Sequence, residues 1–401
     1  MTSSFGWLDT DASQRRQMLE LVDLFREEGT VDELGIGAIR DVLSDALVPG
    51  TSVLHTRLRY VLFIPWLMQR AAHKASPAEM VSEFHRLEYS LISGLLAGGE
   101  QQGVLGNRAG RDLKRLPSEV YWAGMSQWGI LSPGQSVQAY FRRRHEQRAL
   151  AHRTATPDEP LAGSSMQAGI DPHLPQPTEP WLSSTDFNLT PTEEQYLSDR
   201  ITVATQGSLL AWLVQHPPGN DAAYAWHIDN LGEAPSEVQK WVEYARRFSI
   251  AMHGAALTYN LLLARKSQQA ELIDTYTARI EEWRTELAES RALEGWDRPA
   301  WWAMVLRRNP RIKRPTVAFV DAWLDLLLNG AHPAQSRVAA DLITSREVQL
   351  KRARARLVNQ SALDRWSGAS GLVPLTFRWE IASSHLHDLY AARDQHAGSL
   401  V

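Results

Sequence analysis

The sequence feature that most constrains the fold is the apolar stretch from Leu34 to Met68. Hydrophobic residues recur at helical spacing on both sides of Pro49-Gly50, which predicts two helices joined by a turn at that dipeptide. Thr51 or Ser52 is expected to cap the second helix. Tyr60–Gln69 carries no charge, and apolar side chains cover nearly all sides of the helix there, so it is expected inside a core. It is far shorter than the ~20 residues that a membrane span needs.

The composition limits the classes of protein and of site. The chain has 401 residues and no cysteine, which excludes disulfides and thiolate metal sites and fits a reducing compartment. The first residues lack the basic-then-apolar pattern of a secretory signal. We therefore expect a cytoplasmic protein without a membrane partner. No motif for a phosphate-binding loop, a nucleophile elbow or a zinc site occurs, so the sequence predicts no cofactor, no metal and no catalytic residue.

Periodicity elsewhere predicts a mainly α protein of two helical domains with little or no sheet. Seven of the 20 prolines fall between residues 154 and 192. The predicted boundaries are an N-terminal domain over 1–153, a proline-rich linker over 154–192 and a tryptophan-rich domain over 193–401. Trp181, Leu182 and Phe187 suggest that the end of the linker packs on a domain surface.

Several helices are predicted from their spacing and caps. Thr190 and Glu193 have the spacing of a capping box. A long helix is expected over about 236–266, with an antiparallel partner over 268–292. Only Gly371–Phe377 suggests a strand. Further helices are predicted, among them 11–28, 207–216, 299–307, 316–329, 334–366 (broken) and 379–394.

Tryptophan is unusually frequent, with 15 residues. Indole rings bury large areas, so packing between helices is the first interpretation. Stacking on nucleic-acid bases is the alternative.

Three arginine-rich windows suggest a phosphate-binding surface. Residues 140–156 carry a net +4, 306–315 carry +5 and 346–356 carry +4, which leaves −17 for the rest of a chain whose net charge is −4. Such segregation is typical of a protein that binds nucleic acid, with DNA favoured over RNA, although three separate solvated helix ends would give the same count. The predicted binding residues are Arg142, Arg143, Arg144, Arg148, Arg307, Arg308, Arg311, Lys313, Arg314, Lys351, Arg352, Arg354 and Arg356.

Two other functions remain open from the residues. Arg144-His145, followed after six residues by His152, matches the loose arginine–histidine pattern of HEPN-type ribonucleases, in which both residues serve RNA cleavage on a helical scaffold. The other alternative is a protein–protein scaffold whose tryptophans and linker bind another protein and which binds no nucleic acid.

The segments Ser4–Asp9 (SFGWLD), Asp32–Asp41 (DELGIGAIRD) and Pro49–Trp66 (PGTSVLHTRLRYVLFIPW) resemble a family of bacterial proteins catalogued as a domain of unknown function. Genes of that family tend to lie in phage-defence islands beside helicases and phospholipase-D-like nucleases. The resemblance implies an accessory role in defence and carries no catalytic residue over. The resulting prediction is a non-enzymatic subunit of an anti-phage system that binds nucleic acid, or a nuclease or helicase partner, through the arginine windows.

Overall fold

The computed structural model describes residues 32–107, 113–154 and 169–399, with side chains placed except at 151–154 and 397–399. Over these residues the protein is helical, with one isolated bridge between Leu131 and Ile170 and no sheet. The prediction of a mainly α protein is thus confirmed, and the strand suggested at Gly371–Phe377 is wrong. The predicted helix 11–28 lies outside the described residues. The helices are α1 Gly37–Leu47, α2 Tyr60–Ala71, α3 Pro77–Ala97, α4 Pro117–Gln127, α5 Val137–Thr154, α6 Pro191–Ala204, α7 Leu209–Gln215, α8 Ser236–Lys266, α9 Ala270–Glu289, α10 Arg298–Arg308, α11 Arg314–Leu328, α12 Arg337–Lys351, α13 Gln360–Leu363 and α14 Trp379–Ser399.

The described residues group into two compact units, and each unit is discontinuous in sequence. Unit 1 combines residues 32–43 with 243–375, and unit 2 combines 44–242 with 376–399. This grouping differs from the predicted one, in which a linker over 154–192 separates two consecutive domains; that division stays a prediction.

Helix α2 forms the core of unit 2. Its side chains from Tyr60 to Met68 are all buried, including Pro65, as the apolar stretch predicts. The predicted start of this helix is wrong, because Val53 is 64% exposed and the segment before Tyr60 is irregular. The reason is tertiary: the Tyr121 hydroxyl accepts from the N–H of Thr56 at 2.7 Å, and Asp388 accepts from the N–H of Leu58 at 2.8 Å. Backbone donors satisfied in this way do not require a helix.

The rest of unit 2 packs around α2. Helices α3 and α4 contact it directly, α5 packs on α3, and α6, α7 and α14 form a second group. The end of the proline-rich segment packs on the helices of unit 2, as the sequence predicts. The Trp181 ring lies parallel to the Phe63 ring with centroids 5.7 Å apart, and Phe187 is fully buried. The capping box at α6 is confirmed: the Glu193 N–H donates to the Thr190 hydroxyl and the Thr190 N–H donates to the Glu193 carboxylate.

Unit 1 is built around the long helix α8, whose bounds match the prediction. Trp283 of α9 lies against α8 so closely that a Cβ added at Gly254 would be 2.1 Å from its ring. The indole N–H of Trp283 donates to the Ile250 oxygen at 2.7 Å, and that of Trp323 donates to the Ala251 oxygen at 2.8 Å. Indole rings therefore fix both the spacing and the register of the helices around α8.

The same role holds for the other described tryptophans. Ten of the fourteen are buried and the remaining four are half-buried. This burial of most described tryptophans favours the packing interpretation over stacking on bases.

Candidate nucleic-acid interface

The second arginine window lies where α10 ends and α11 begins. Arg307, Arg311, Lys313 and Arg314 are exposed, while Ile312 between them is buried and anchors the loop. No acidic residue occurs between Asp297 and Asp321 in the sequence, so the segment has no local counter-charge. Arg308 is also exposed but interacts with a neighbour. The loop therefore presents positive charge at the N-terminal end of α11, where the helix dipole is positive too.

The third window lies where α12 ends. Arg352 and Arg354 are exposed on the short 3₁₀ turn Arg352–Arg354 that follows Lys351, the last residue of α12. No acidic residue follows until Asp364.

Arg346 joins the two windows. The residue is 4% exposed, and its guanidinium donates to the backbone oxygens of Leu34 (2.8 Å), Gly35 (3.1 Å) and Pro315 (3.3 Å) and to the hydroxyl of Thr316 (2.9 Å). Burial lowers the pKa of this guanidinium, which nevertheless remains charged at neutral pH. Since Pro315 and Thr316 begin α11, the start of α11 lies beside the last turns of α12.

Helices α11 and α12 thus form a hairpin with the two basic segments at the same end. Arg346 stands five residues before the end of α12, about 7.5 Å along the axis. We call the exposed cations at this end of the hairpin the basic end. No described acid forms an ion pair with any of them. The basic end consists of Arg307, Arg311, Lys313, Arg314, Arg352 and Arg354.

Two predicted binding residues of the third window are instead neutralised inside unit 1. Lys351 pairs with Glu33 and Glu347, and Arg356 pairs with Glu33 at 2.9 Å. Both acids are buried, at 6% and 0% exposure. Burial alone would raise the pKa of Glu347, but the Tyr259 hydroxyl and further donors hold it below its ordinary value. Lys351 and Arg356 therefore serve this buried network rather than an open surface.

The first window belongs to unit 2 and lies on α5. Arg142 and Arg143 are exposed and Arg144 is half-buried. Arg148 donates to the backbone oxygens of Ala72 (2.8 Å) and Lys74 (2.9 Å), beyond the last turn of α2. Arg148 thus lies within α5 and satisfies carbonyl groups just beyond the C-terminus of a different helix, α2.

The side chain of His152 lies outside the described residues, so its distance from Arg144 is not defined and the ribonuclease alternative stays a prediction.

The histidines near the C-terminus do not form a metal site with each other. His385 is 1% exposed whereas His387 is exposed, as expected for residues two apart on one helix. Asp388 pairs with Arg57 at 2.8 Å instead. Among the residues that the structure describes, no three histidines or acids are positioned to hold one metal ion.

Sequence reasoning missed the buried Glu33–Glu347–Lys351–Arg356 network and its Tyr259 partner. Glu33 and Glu347 are far apart in sequence, and neither stands in a recognisable motif. The one available signal was the spacing of four between Glu347 and Lys351 on a helix, which often gives an ion pair.

The fold and the candidate site define a class: an all-helical protein, within its described residues, with a basic surface in unit 1. A model of a family of unknown function, DUF6361, matches residues 2–393, and the chain belongs to that family. Comparison with curated proteins and with solved structures gave no match. No helix in the described ranges has the length and apolar character to cross a membrane.

Proposed function

We propose that the protein binds nucleic acid through the basic end of the α11–α12 hairpin. The observation that carries the proposal is the placement of two basic segments, 306–315 and 346–356, which are separated in sequence by residues 316–345, at one end of one hairpin. Like charges gathered in this way repel one another and lower the stability of the folded state. An anionic partner that neutralises these cations offsets the repulsion between them.

The chemistry of the basic end favours a phosphate backbone. Guanidinium groups form planar, bidentate hydrogen bonds with phosphate oxygens, and five of the six cations are arginines. The positive end of the α11 dipole adds to the attraction. Most of the described tryptophans are buried between helices. We therefore expect the protein to contact phosphates rather than to stack on bases, and to bind nucleic acid with little sequence preference.

The setting that we propose is that of a non-enzymatic subunit of a bacterial anti-phage system. The resemblance to proteins encoded in defence islands supports this setting by association, with a helicase or nuclease as the protein partner. Duplex DNA is the favoured nucleic acid, and RNA is the alternative. Arg142 and Arg143 on α5 offer a second, smaller basic patch in unit 2.

The experiment is a titration of the full chain into fluorescein-labelled duplex DNA, single-stranded DNA and RNA, followed by fluorescence anisotropy over a range of salt. The binding constant should fall with salt, with a slope of about −0.9 per neutralised phosphate in the logarithmic plot for duplex DNA. The triple substitution R311Q/K313Q/R314Q should make that slope shallower by about 2.7.

The matched control removes the same charge elsewhere in unit 1. The control variant is R284Q/R291Q/R337Q. Arg284 lies on α9, Arg291 follows α9, and Arg337 begins α12 at the end of the hairpin opposite the basic end. Its slope should equal that of the wild type. Equal effects of the two triple variants would point to net charge alone, and the absence of binding at ~50 mM salt, where phosphate contacts are strongest, would refute the proposal.

A further inference from the structure

The backbone of Arg352 has a conformation that normally belongs to glycine. Its φ is 53° and its ψ is −124°. A Cβ atom clashes with the backbone at positive φ, and this ψ is far from the small left-handed region that other residues tolerate. The combination is that of the first central position of a type II′ turn, which is usually glycine. The arginine therefore strains the backbone.

A buried carboxylate holds the strained turn in place. The Glu347 carboxylate is fully buried and accepts from the Tyr259 hydroxyl at 2.6 Å and from the N–H groups of Arg356 and Leu357, both at 2.9 Å. The N–H of Arg352 itself donates to the Val348 oxygen. The segment that follows α12 thus turns back, and its residues Arg356 and Leu357 bind Glu347 of the same helix. Such a network can maintain a strained conformation that the residue alone would avoid.

The arginine side chain is not explained by contacts within the protein. Four other described non-glycine residues have positive φ: Gln268, Arg291, Phe377 and Arg378. Phe377 is buried, and Arg378 pairs with Asp45 at 2.7 Å. Arg352 is exposed, and no described acid pairs with it. Gln268 and Arg291 are exposed too, but both lie outside the basic end. Among the described non-glycine residues of positive φ, Arg352 alone combines an exposed side chain with a place in the basic end, which points to a role in binding there.

We infer that Arg352 is a dedicated phosphate-binding residue of the basic end, and that its guanidinium forms bidentate hydrogen bonds with a phosphodiester group. The inference rests on the proposed function and deepens it, because it assigns one residue and one ligand group within that surface. The fixed turn holds the arginine backbone in place before binding, which reduces the entropy lost on association. The strain is retained because glycine, which would relieve it, has no side chain to bind phosphate.

The test compares R352G with R291G. Arg291 is also an exposed arginine at positive φ in unit 1, and it lies outside the basic end. Both variants remove one charge and relieve backbone strain, so both should unfold at a urea concentration equal to or above that of the wild type. Only R352G should weaken binding to labelled duplex DNA, by about tenfold at low salt, and make the salt slope shallower by about 0.9. R352K, which keeps the charge but not the planar fork, should restore the slope and only part of the affinity.

The outcomes separate the two proposals. A wild type that binds no nucleic acid refutes the proposed function itself. A wild type that binds, with R352G and R291G binding equally well, overturns the assignment of Arg352 and leaves the basic end intact. An R352G protein that unfolds more easily than R291G overturns the strain argument, and an R352K protein with full affinity overturns bidentate binding.

Discussion

Acid should destabilise unit 2 through two buried histidines, His55 and His385. They are 2% and 1% exposed, and their rings are 5.5 Å apart. Burial is the main cause that lowers the pKa of His55 to about 4, and burial together with the nearby His55 and Arg57 lowers the pKa of His385 well below its ordinary value. Neither ring nitrogen of His385 has a described hydrogen-bond partner, so nothing there stabilises the protonated form.

The sign and size of the effect follow from linkage. Both pKa values are lower in the folded state than the ~6.5 of an unfolded histidine, so the unfolded chain binds more protons and stability falls as the pH falls below about 6.5. For His55 the loss at about pH 5 is roughly 2 kcal/mol. His385 can add at most about as much again, since roughly 2 kcal/mol is the limit that an unfolded pKa of ~6.5 sets at that pH.

The assay is urea unfolding at about pH 7.5 and about pH 5, comparing the wild type with the double variant H55Q/H385L. The amide introduced by H55Q can still donate to the Val120 oxygen, which is 3.2 Å from His55 Nε2. Glu88 acts in the opposite direction, because burial raises its pKa to about 7 and acid therefore stabilises the folded state through it. The prediction is accordingly a difference: the wild type should lose up to about 4 kcal/mol more than the variant on acidification. Parallel losses in the two proteins would refute the reasoning.

Three further substitutions test the packing, each by the free energy of unfolding in urea. E347A removes a fully buried acceptor and should cost roughly 3–5 kcal/mol, because it leaves Lys351 and backbone donors underpaired; an unchanged midpoint would contradict this. G50A should destabilise by several kcal/mol or prevent folding, since Gly50 has φ +85° and a Cβ would lie 2.2 Å from Nε1 of Trp128, and wild-type stability would show that the loop can adjust. T190A should cost about 1 kcal/mol through loss of the α6 cap, whereas T190S should retain most of it.

Local signals in the sequence predicted the helices well. The uniform apolarity of Tyr60–Gln69, the capping box at Thr190 and the periodicity of α8 each reflect interactions within a few residues, and the structure has all three. The predicted start of α2 was wrong because backbone N–H groups before Tyr60 donate hydrogen bonds to Tyr121 and Asp388, which are distant in sequence. Periodicity alone does not reveal such partners.

The candidate site was predictable only in its charge. Arginine windows are visible in the sequence, but the sequence does not show which arginines are neutralised. In the sequence, nothing distinguishes Lys351 and Arg356 from their neighbours Arg352 and Arg354. In the structure both pair with Glu33, which lies more than 300 residues earlier. The strained backbone of Arg352 likewise has no signature in the residue types, because the segment that follows it is held by hydrogen bonds from the N–H groups of Arg356 and Leu357 to Glu347.

The discontinuity of unit 1 has a consequence for any attempt to dissect the protein by truncation. A fragment that starts at residue 193 would contain the whole α11–α12 hairpin but lack Glu33, Leu34 and Gly35. Arg346 would lose two of its backbone acceptors, and Lys351 and Arg356 would each lose a carboxylate. During synthesis, Glu33, Leu34 and Gly35 leave the ribosome more than 300 residues before Arg346, Lys351 and Arg356, so these contacts can form only late.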